Sequence, residues 1–281
     1  KLVQNVGERS DTTLDILSVV LLAAGITAFV YSVGEFSTNL IAGIVALFAA
    51  IVLLGLFAAR QLKLEHPVLN VRPMASVRFW PACLLVVVSM MTTFSMSVLL
   101  PLYFEGAYGM TALIAGLLIL PAIACNAVTS IVGGRVMDAR GAWPLLPVGF
   151  ALIAVGQTAI SMTATSMNIG VVVALTVVVY AGVGLVLSPS QTAGLETLPA
   201  AEHPHGTALL NTWNMIAASF GPSLFIGLLS SSAATAGVAG AATDVAQAIG
   251  FAAAVRVAAA IAVVGFATSL VYARRESHMS H

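Results

Sequence analysis

Residues 39–80 read NLIAGIVALFAAIVLLGLFAARQLKLEHPVLNVRPMASVRFW. From Asn39 to Ala59 no side chain is charged. A helix of about 20 apolar residues rises some 30 Å, the thickness of a bilayer's hydrocarbon core, so this run is long enough to span one. The gap that follows holds Arg60, Lys63, Arg72 and Arg78 together with His66-Pro67 and Arg72-Pro73. A residue before proline is biased away from helix, so the gap can run along the membrane face before re-entering at Phe79-Trp80. An uncharged run followed by a basic gap is a span leaving lipid on the cytoplasmic side.

The rest of the chain repeats this grammar. Approximate apolar limits are 14–33, 39–59, 79–101, 111–132, 144–164, 168–189, 208–229 and 251–272. Charged residues are 8% and hydrophobic ones 59%. Soluble domains carry about 25% charge, so a water-facing surface cannot be built from this composition. Runs of this length also exclude the segments of about ten alternating residues that a membrane β-barrel uses. The expected fold is all-α, a polytopic membrane helical bundle of eight transmembrane helices. A net charge of zero says nothing about partners, and no feature points to nucleic acid. Cys83 and Cys125 fall inside apolar runs and read as small fillers. The chain opens on Lys1 without a signal-peptide pattern, which suggests a fragment or a processed product.

Eight spans place both ends on one side. Lys1, Arg9, Arg60, Lys63, Arg72, Arg78, Arg135, Arg140, Arg274 and Arg275 all fall on that side, and Arg256 is the exception among the eleven Lys and Arg. The positive-inside rule makes that side cytoplasmic. The expected location is the cell (plasma or inner) membrane, multi-pass, with both termini cytoplasmic. Arg256 can snorkel, or pair with Glu35 or Asp244 outside. The gap 190–207, also on the cytoplasmic side, has Glu196, Glu202, His203 and His205 but no Lys or Arg. Short first, third and fifth gaps force antiparallel neighbours, and the Ala-, Ser-, Thr- and Gly-rich segment 230–250 is expected to be a mobile external loop.

The linker HPVLNVRPMASVRFW (66–80) with LPLYFEGAYGMTALIAGLLILP (100–121) and GGRVMDARGAWPLLPVG (133–149) resembles the C-terminal portion of fourteen-helix drug:proton antiporters. These are the EmrB/QacA type of the major facilitator superfamily. The resemblance implies two linker helices and a basic loop in 1–78, a six-helix C-terminal bundle in 79–272, and a cytoplasmic tail in 273–281. It further implies one part of a secondary active transporter, performing proton-coupled multidrug efflux by alternating access. The implied partners are the lipid bilayer, a missing N-terminal six-helix half, protons, and a small amphipathic or cationic organic substrate. No cofactor and no enzyme activity are implied.

Gly134-x-x-x-Asp138-x-Arg140-Gly141, with Arg135, falls between spans four and five and is similar to the superfamily's loop signature, although Ala139 and Ala142 replace basic residues. Its glycines permit positive φ or close approach, and Asp138 can pair with Arg135 or Arg140 or satisfy the next helix start. A conformational latch and an ordinary charged turn are both open. In span three, Ser89, Met96 and Tyr103 recur every seven residues with Thr92 and Thr93 between them, a stripe that suits a cavity for varied apolar ligands. The bland reading is self-bonded hydroxyls and core methionine. Asn126 and Thr129, Tyr180, Gly184 and Gln191, and Asn211, Asn214 and Ala218 form similar stripes on spans four, six and seven. The resemblance places those helices at the central cavity. It places span five, with Gln157, Thr158 and Ser161, at the periphery, where interhelical hydrogen bonding is the expected role. Span seven has Trp213-Asn214 where the family usually has Arg-Gln, and Gly221-Pro222 reads as a kink with close packing. Thr12-x-x-Asp15 reads as a capping-box-like start of span one.

No Asp or Glu falls near mid-span, so either the proton-coupling acid belongs to a missing N-terminal half or the protein is not proton-coupled in the usual way. Two alternatives stand beside the exporter: a complete half-size transporter that dimerises, and a non-transporting membrane scaffold or sensor. Without H-E-x-x-H, G-x-S-x-G or paired intramembrane acids, an intramembrane enzyme is disfavoured.

Overall fold

The computed structural model describes residues 15–35, 39–64 and 69–277. Its helices are α1 (Ile16–Glu35), α2 (Leu40–Lys63), α3 (Phe79–Tyr108), α4 (Ala112–Arg140), α5 (Leu145–Thr163), α6 (Ile169–Glu196), α7 (His203–Val238) and α8 (Thr243–Ser277). Eight helices are long and apolar enough to cross a membrane, and no strand occurs among the described residues. Lys1, Arg9, Thr12, His66, Pro67, His278 and His281 lie outside the described residues.

Most helices outrun their apolar limits. The segment 230–250, expected to be a loop, is helical except for residues 239–242, because its alanines favour helix and Gly240, at φ 91°, makes the turn alone. α3 likewise continues through Pro101 to Tyr108. Polar side chains set some ends: Asn39 Oδ1 accepts from the Ala42 amide (3.1 Å) and Asn168 Oδ1 from the Val171 amide (3.3 Å).

α3 is the centre of the bundle and packs on α6, α7 and α8. α4 and α5 pack on α6, while α7 and α8 pack on α3. The two sets α3–α5 and α6–α8 thus interlock, the second and third helices of each lying on the first helix of the other. The short turn between α3 and α4 does make them antiparallel, yet they barely touch along their lengths, and α4 lies instead against α6. Small residues permit that approach: a Cβ on Gly184 would lie 2.6 Å from the Asn126 carbonyl oxygen, and one on Gly133 3.2 Å from the Gly184 carbonyl oxygen. Between α5 and α6, a Cβ on Gly182 would lie 2.6 Å from the Gly149 carbonyl oxygen.

α1 and α2 form a hairpin whose contact with the bundle runs mainly through α7, including Phe29 against Phe220 (ring centroids 5.7 Å). At the end of the molecule that carries Arg60 and Arg78, here the basic end, Phe57, Leu69, Phe79, Leu209 and Leu210 pack into one cluster. A polar chain reinforces it. Arg60 Nε and Nη2 donate to Asp15 Oδ2 (2.8 Å) and Oδ1 (3.1 Å), and Ser18 Oγ donates to Asp15 Oδ2 (2.6 Å). Gln61 Nε2 donates to Ser18 Oγ (2.6 Å), and the Leu69 amide to Gln61 Oε1 (3.1 Å). The Arg60 guanidinium, with help from Ser18, holds the Asp15 carboxyl well below the usual carboxylate range. Asp15 therefore ties the two ends of the hairpin together rather than acting only as the acid of a helix start. Arg256 makes no ion pair among the described residues, so the expected contact with Glu35 or Asp244 is not formed.

Candidate functional site

Contacts with three helices fix how α3 is rotated. Ala82 faces α6, since a Cβ on Gly194 would lie 2.9 Å from its Cβ. Met91 and Ser95 face α7, at 3.2 and 3.0 Å from a Cβ on Gly221. Val88 faces Gly265 of α8, and Tyr103 stacks on Phe251 of α8 (ring centroids 4.2 Å). At about 100° per residue, Ala82 and Met91 point in opposite directions and α8 covers one of the two remaining sides. The last side carries Trp80, Met90, Phe94 and Ser97, with Thr93 at its edge. Trp80 is 45% exposed and Phe94 40%. This strip lies between α6 and α7, which converge at the basic end where Phe79 packs near both Gly194 and Gly206.

The expected stripe is the opposite face of the same helix. Ser89, Met96 and Tyr103 are each 0% exposed, and Thr92 is buried. Ser89 Oγ bonds back to the Leu85 carbonyl (2.9 Å), Thr93 Oγ1 to that of Ser89 (2.8 Å), and Tyr103 Oη donates to the Ala164 carbonyl (2.7 Å). Burial makes Ser89, Thr92, Met96 and Tyr103 core residues, and Thr93, half-buried, alone of the set borders the open strip.

Elsewhere the candidates separate by helix. Asn126 Nδ2 donates to the Tyr180 carbonyl (3.0 Å), bridging α4 and α6, and Thr129 Oγ1 packs at Gly184 while bonding to the Cys125 carbonyl (2.9 Å). Tyr180 is buried and Gln191 half-buried. Asn211 is exposed and lines a groove of about 260 Å³ between α1 and α7 with Ile26, Val30 and Met215. Asn214, three residues on, turns inward, and its Oδ1 is buried without a partner. Gly221 meets α3 closely, as expected of the Gly-Pro pair. In α5, Thr158 and Ser161 bond to their own helix, at the Ala154 (2.7 Å) and Thr158 (2.8 Å) carbonyls, and both amide atoms of Gln157 are buried without a partner. The interhelical bonds expected of α5 are absent among the described residues.

The motif at Gly134–Gly141 is not a loop. Gly134, Arg135, Asp138 and Arg140 are the last two turns of α4, and Gly141, at φ 73°, ends the helix with its amide on the Met137 carbonyl (2.8 Å). Asp138 pairs with neither Arg135 nor Arg140, and no side chain caps the start of α5. Helical spacing leaves Arg135, Asp138 and Arg140 exposed at the basic end.

Chemically, the open strip offers two aromatic faces and a polarizable thioether, with the Thr93 and Ser97 hydroxyls turned back to the Ser89 (2.8 Å) and Phe94 (2.7 Å) carbonyls and no charge until Glu105 at the far end. Such a lining binds apolar and aromatic groups by contact rather than by ion pairing. A heptad reading of Trp80, Val87, Phe94 and Pro101 would have found it, on the same spacing as the buried set.

The family profile described as Major Facilitator Superfamily matches residues 15–222. A lincomycin resistance protein, LmrB, of Listeria monocytogenes is 31% identical over 233 residues, covering 82% of this chain and 50% of the relative. An uncharacterized MFS-type transporter, YcnB, of Bacillus subtilis is 32% identical over 273 residues, covering 95% and 57%. The chain thus spans about half the length of the curated relatives it matches. A bacterial homologue of the iron transporter ferroportin, solved in an outward-facing state, superposes with a TM-score of 0.52 at 15% identity, over 92% of this chain and 62% of that one. With the profile covering most of its length, an all-helical bundle of eight apolar helices and this structural likeness, the chain belongs to the major facilitator superfamily of membrane transporters.

Proposed function

We propose that the chain is the C-terminal part of a secondary active transporter that exports small amphipathic or cationic organic compounds in exchange for protons. The observation that carries this reading is the uncharged strip of Trp80, Met90, Phe94 and Ser97 on an otherwise buried central helix. In this reading an N-terminal six-helix half closes the strip into a cavity, and rocking of the halves exposes it to alternate sides. Residues 1–78 supply two linker helices and a basic loop, 79–272 the six-helix bundle and 273–281 a tail. The basic end faces the cytoplasm, with Arg60, Lys63, Arg72, Arg78, Arg135 and Arg140 there and Arg256 in the opposite half. Arg135, Asp138, Arg140 and the flanking Gly134 and Gly141 meet the other half in one state of the cycle. The described acids lie towards helix ends, so the proton-carrying acid belongs to the N-terminal half. Similarity to lincomycin resistance proteins supports a drug-like substrate.

Everted vesicles containing the full-length protein test this. Lincomycin is expected to accumulate inside when the lumen is acidified and to leak out when the pH gradient is collapsed. Phe94→Ala is expected to raise KM more than it lowers kcat. Accumulation indifferent to the gradient removes proton coupling, and no movement of any probe favours the scaffold or sensor.

A further inference from the structure

We infer that Lys63, Arg72 and Arg78, with Leu62 and Val77, form a binding site for the headgroup of an anionic phospholipid in the leaflet at the basic end. Lys63 ends α2, Arg72 opens a single helical turn (Arg72–Ala75), and Arg78 precedes α3. All three are exposed. Arg72 Nη2 donates to the Leu62 carbonyl (3.3 Å), which brings its guanidinium to the last turn of α2, beside Lys63. Arg78 follows six residues later, within about 20 Å even for extended chain.

These cations stand on a fixed platform. Leu69 and Val71 flank the segment and pack with Met74, Phe57 and Phe79, and the Leu69 amide is held by Gln61. Arg60 is already neutralised by Asp15, the ion pair found among the described residues, so Lys63, Arg72 and Arg78 carry no carboxylate partner there. Beside them Leu62 and Val77 are exposed, at 50% and 60%. Cations beside exposed aliphatic side chains at one membrane edge suit a ligand with an anion at one end and hydrocarbon at the other. A phospholipid phosphate with its acyl chains has both, whereas inorganic phosphate has the anion alone.

The inference rests on the membrane fold and not on drug export, and its test has no transport readout. Native mass spectrometry of the full-length protein in detergent compares phosphatidylglycerol with phosphatidylcholine. Phosphatidylglycerol is expected to bind more tightly, and K63Q/R72Q/R78Q to weaken it by about fivefold per cation removed without changing phosphatidylcholine. R135Q/R140Q, at the same end, is expected to change it far less. Equal losses per charge in the two variants would mean a diffuse surface potential and overturn the site. Displacement of the lipid by equimolar inorganic phosphate would overturn the lipid assignment. If the triple variant is not monodisperse, Arg72→Gln decides alone: a loss of about fivefold supports the site and unchanged affinity refutes it.

Discussion

The close α4–α6 crossing depends on the absence of a side chain at Gly184, and Gly184→Ala adds the methyl group that obstructs it. The new Cβ would collide with Thr129 Oγ1 and lie 2.6 Å from the Asn126 carbonyl oxygen and 3.0 Å from the Ser130 amide nitrogen. The hydroxyl can rotate, but the two backbone atoms cannot. Reaching ordinary contact at about 3.5 Å requires α4 to retreat by roughly 0.9 Å. That retreat stretches the Asn126–Tyr180 bond from 3.0 Å to beyond hydrogen-bonding range. Overpacking costs about 1–3 kcal/mol. A lost hydrogen bond between membrane helices adds roughly 0.6 kcal/mol. The better helix propensity of alanine returns about 0.8–1 kcal/mol. The net loss is about 1–3 kcal/mol, read by equilibrium unfolding of the full-length protein in mixed micelles. Gly116→Ala, where a Cβ meets nothing within 4 Å, is the comparator and is expected to be neutral or stabilising. Thr129→Ala in the Gly184→Ala background should recover only part, because the backbone contacts remain. Equal stability of Gly184→Ala and Gly116→Ala would refute the close crossing.

Other expectations concern side chains buried in or beside the bundle. Gln157→Leu removes an amide with both polar atoms buried and unpartnered, and is expected to stabilise by about 1–2 kcal/mol. Destabilisation would mean that an internal water satisfies that amide. Tyr103→Phe keeps the stack on Phe251 but removes the hydroxyl's bond to the Ala164 carbonyl, which retains only the Met167 amide (3.4 Å), at a cost of about 0.5–1.5 kcal/mol with transport unchanged. A transport defect at normal stability would return Tyr103 to the substrate path. For Asp15, whose folded pKa lies below the ordinary 3.8, the stabilising contribution is complete above about pH 5 and is lost as pH falls below about 4. The stability difference between wild type and Asp15→Asn should therefore be flat from pH 5 to 8 and shrink below. A change between pH 6 and 8 would assign it to another group.

The spans were legible because lipid demands about 20 apolar residues, a requirement local in sequence and indifferent to packing partners. Rotation about each span was not. In water an apolar stripe marks the core, but in lipid the core and the outer face are both apolar, so polarity alone could not tell Ser89, Met96 and Tyr103 from Trp80, Phe94 and Ser97. Asp15–Arg60 joins residues 45 positions apart, and the α4–α6 crossing joins Gly133 to Gly184. Nothing in either local stretch announces its partner. Segment 230–250 misled for a simpler reason: its alanines, serines and glycines resemble a linker by composition while its alanines favour helix.

Substituted-cysteine labelling along α3 of the full-length protein, in a cysteine-less background and native membranes, tests the transporter wall most directly. A small water-soluble maleimide should label cysteines at Met90, Phe94 and Ser97, with substrate protecting them, and spare Ser89, Met96 and Leu99. Labelling of the second set, or of neither, would contradict a water-filled path along this face of α3.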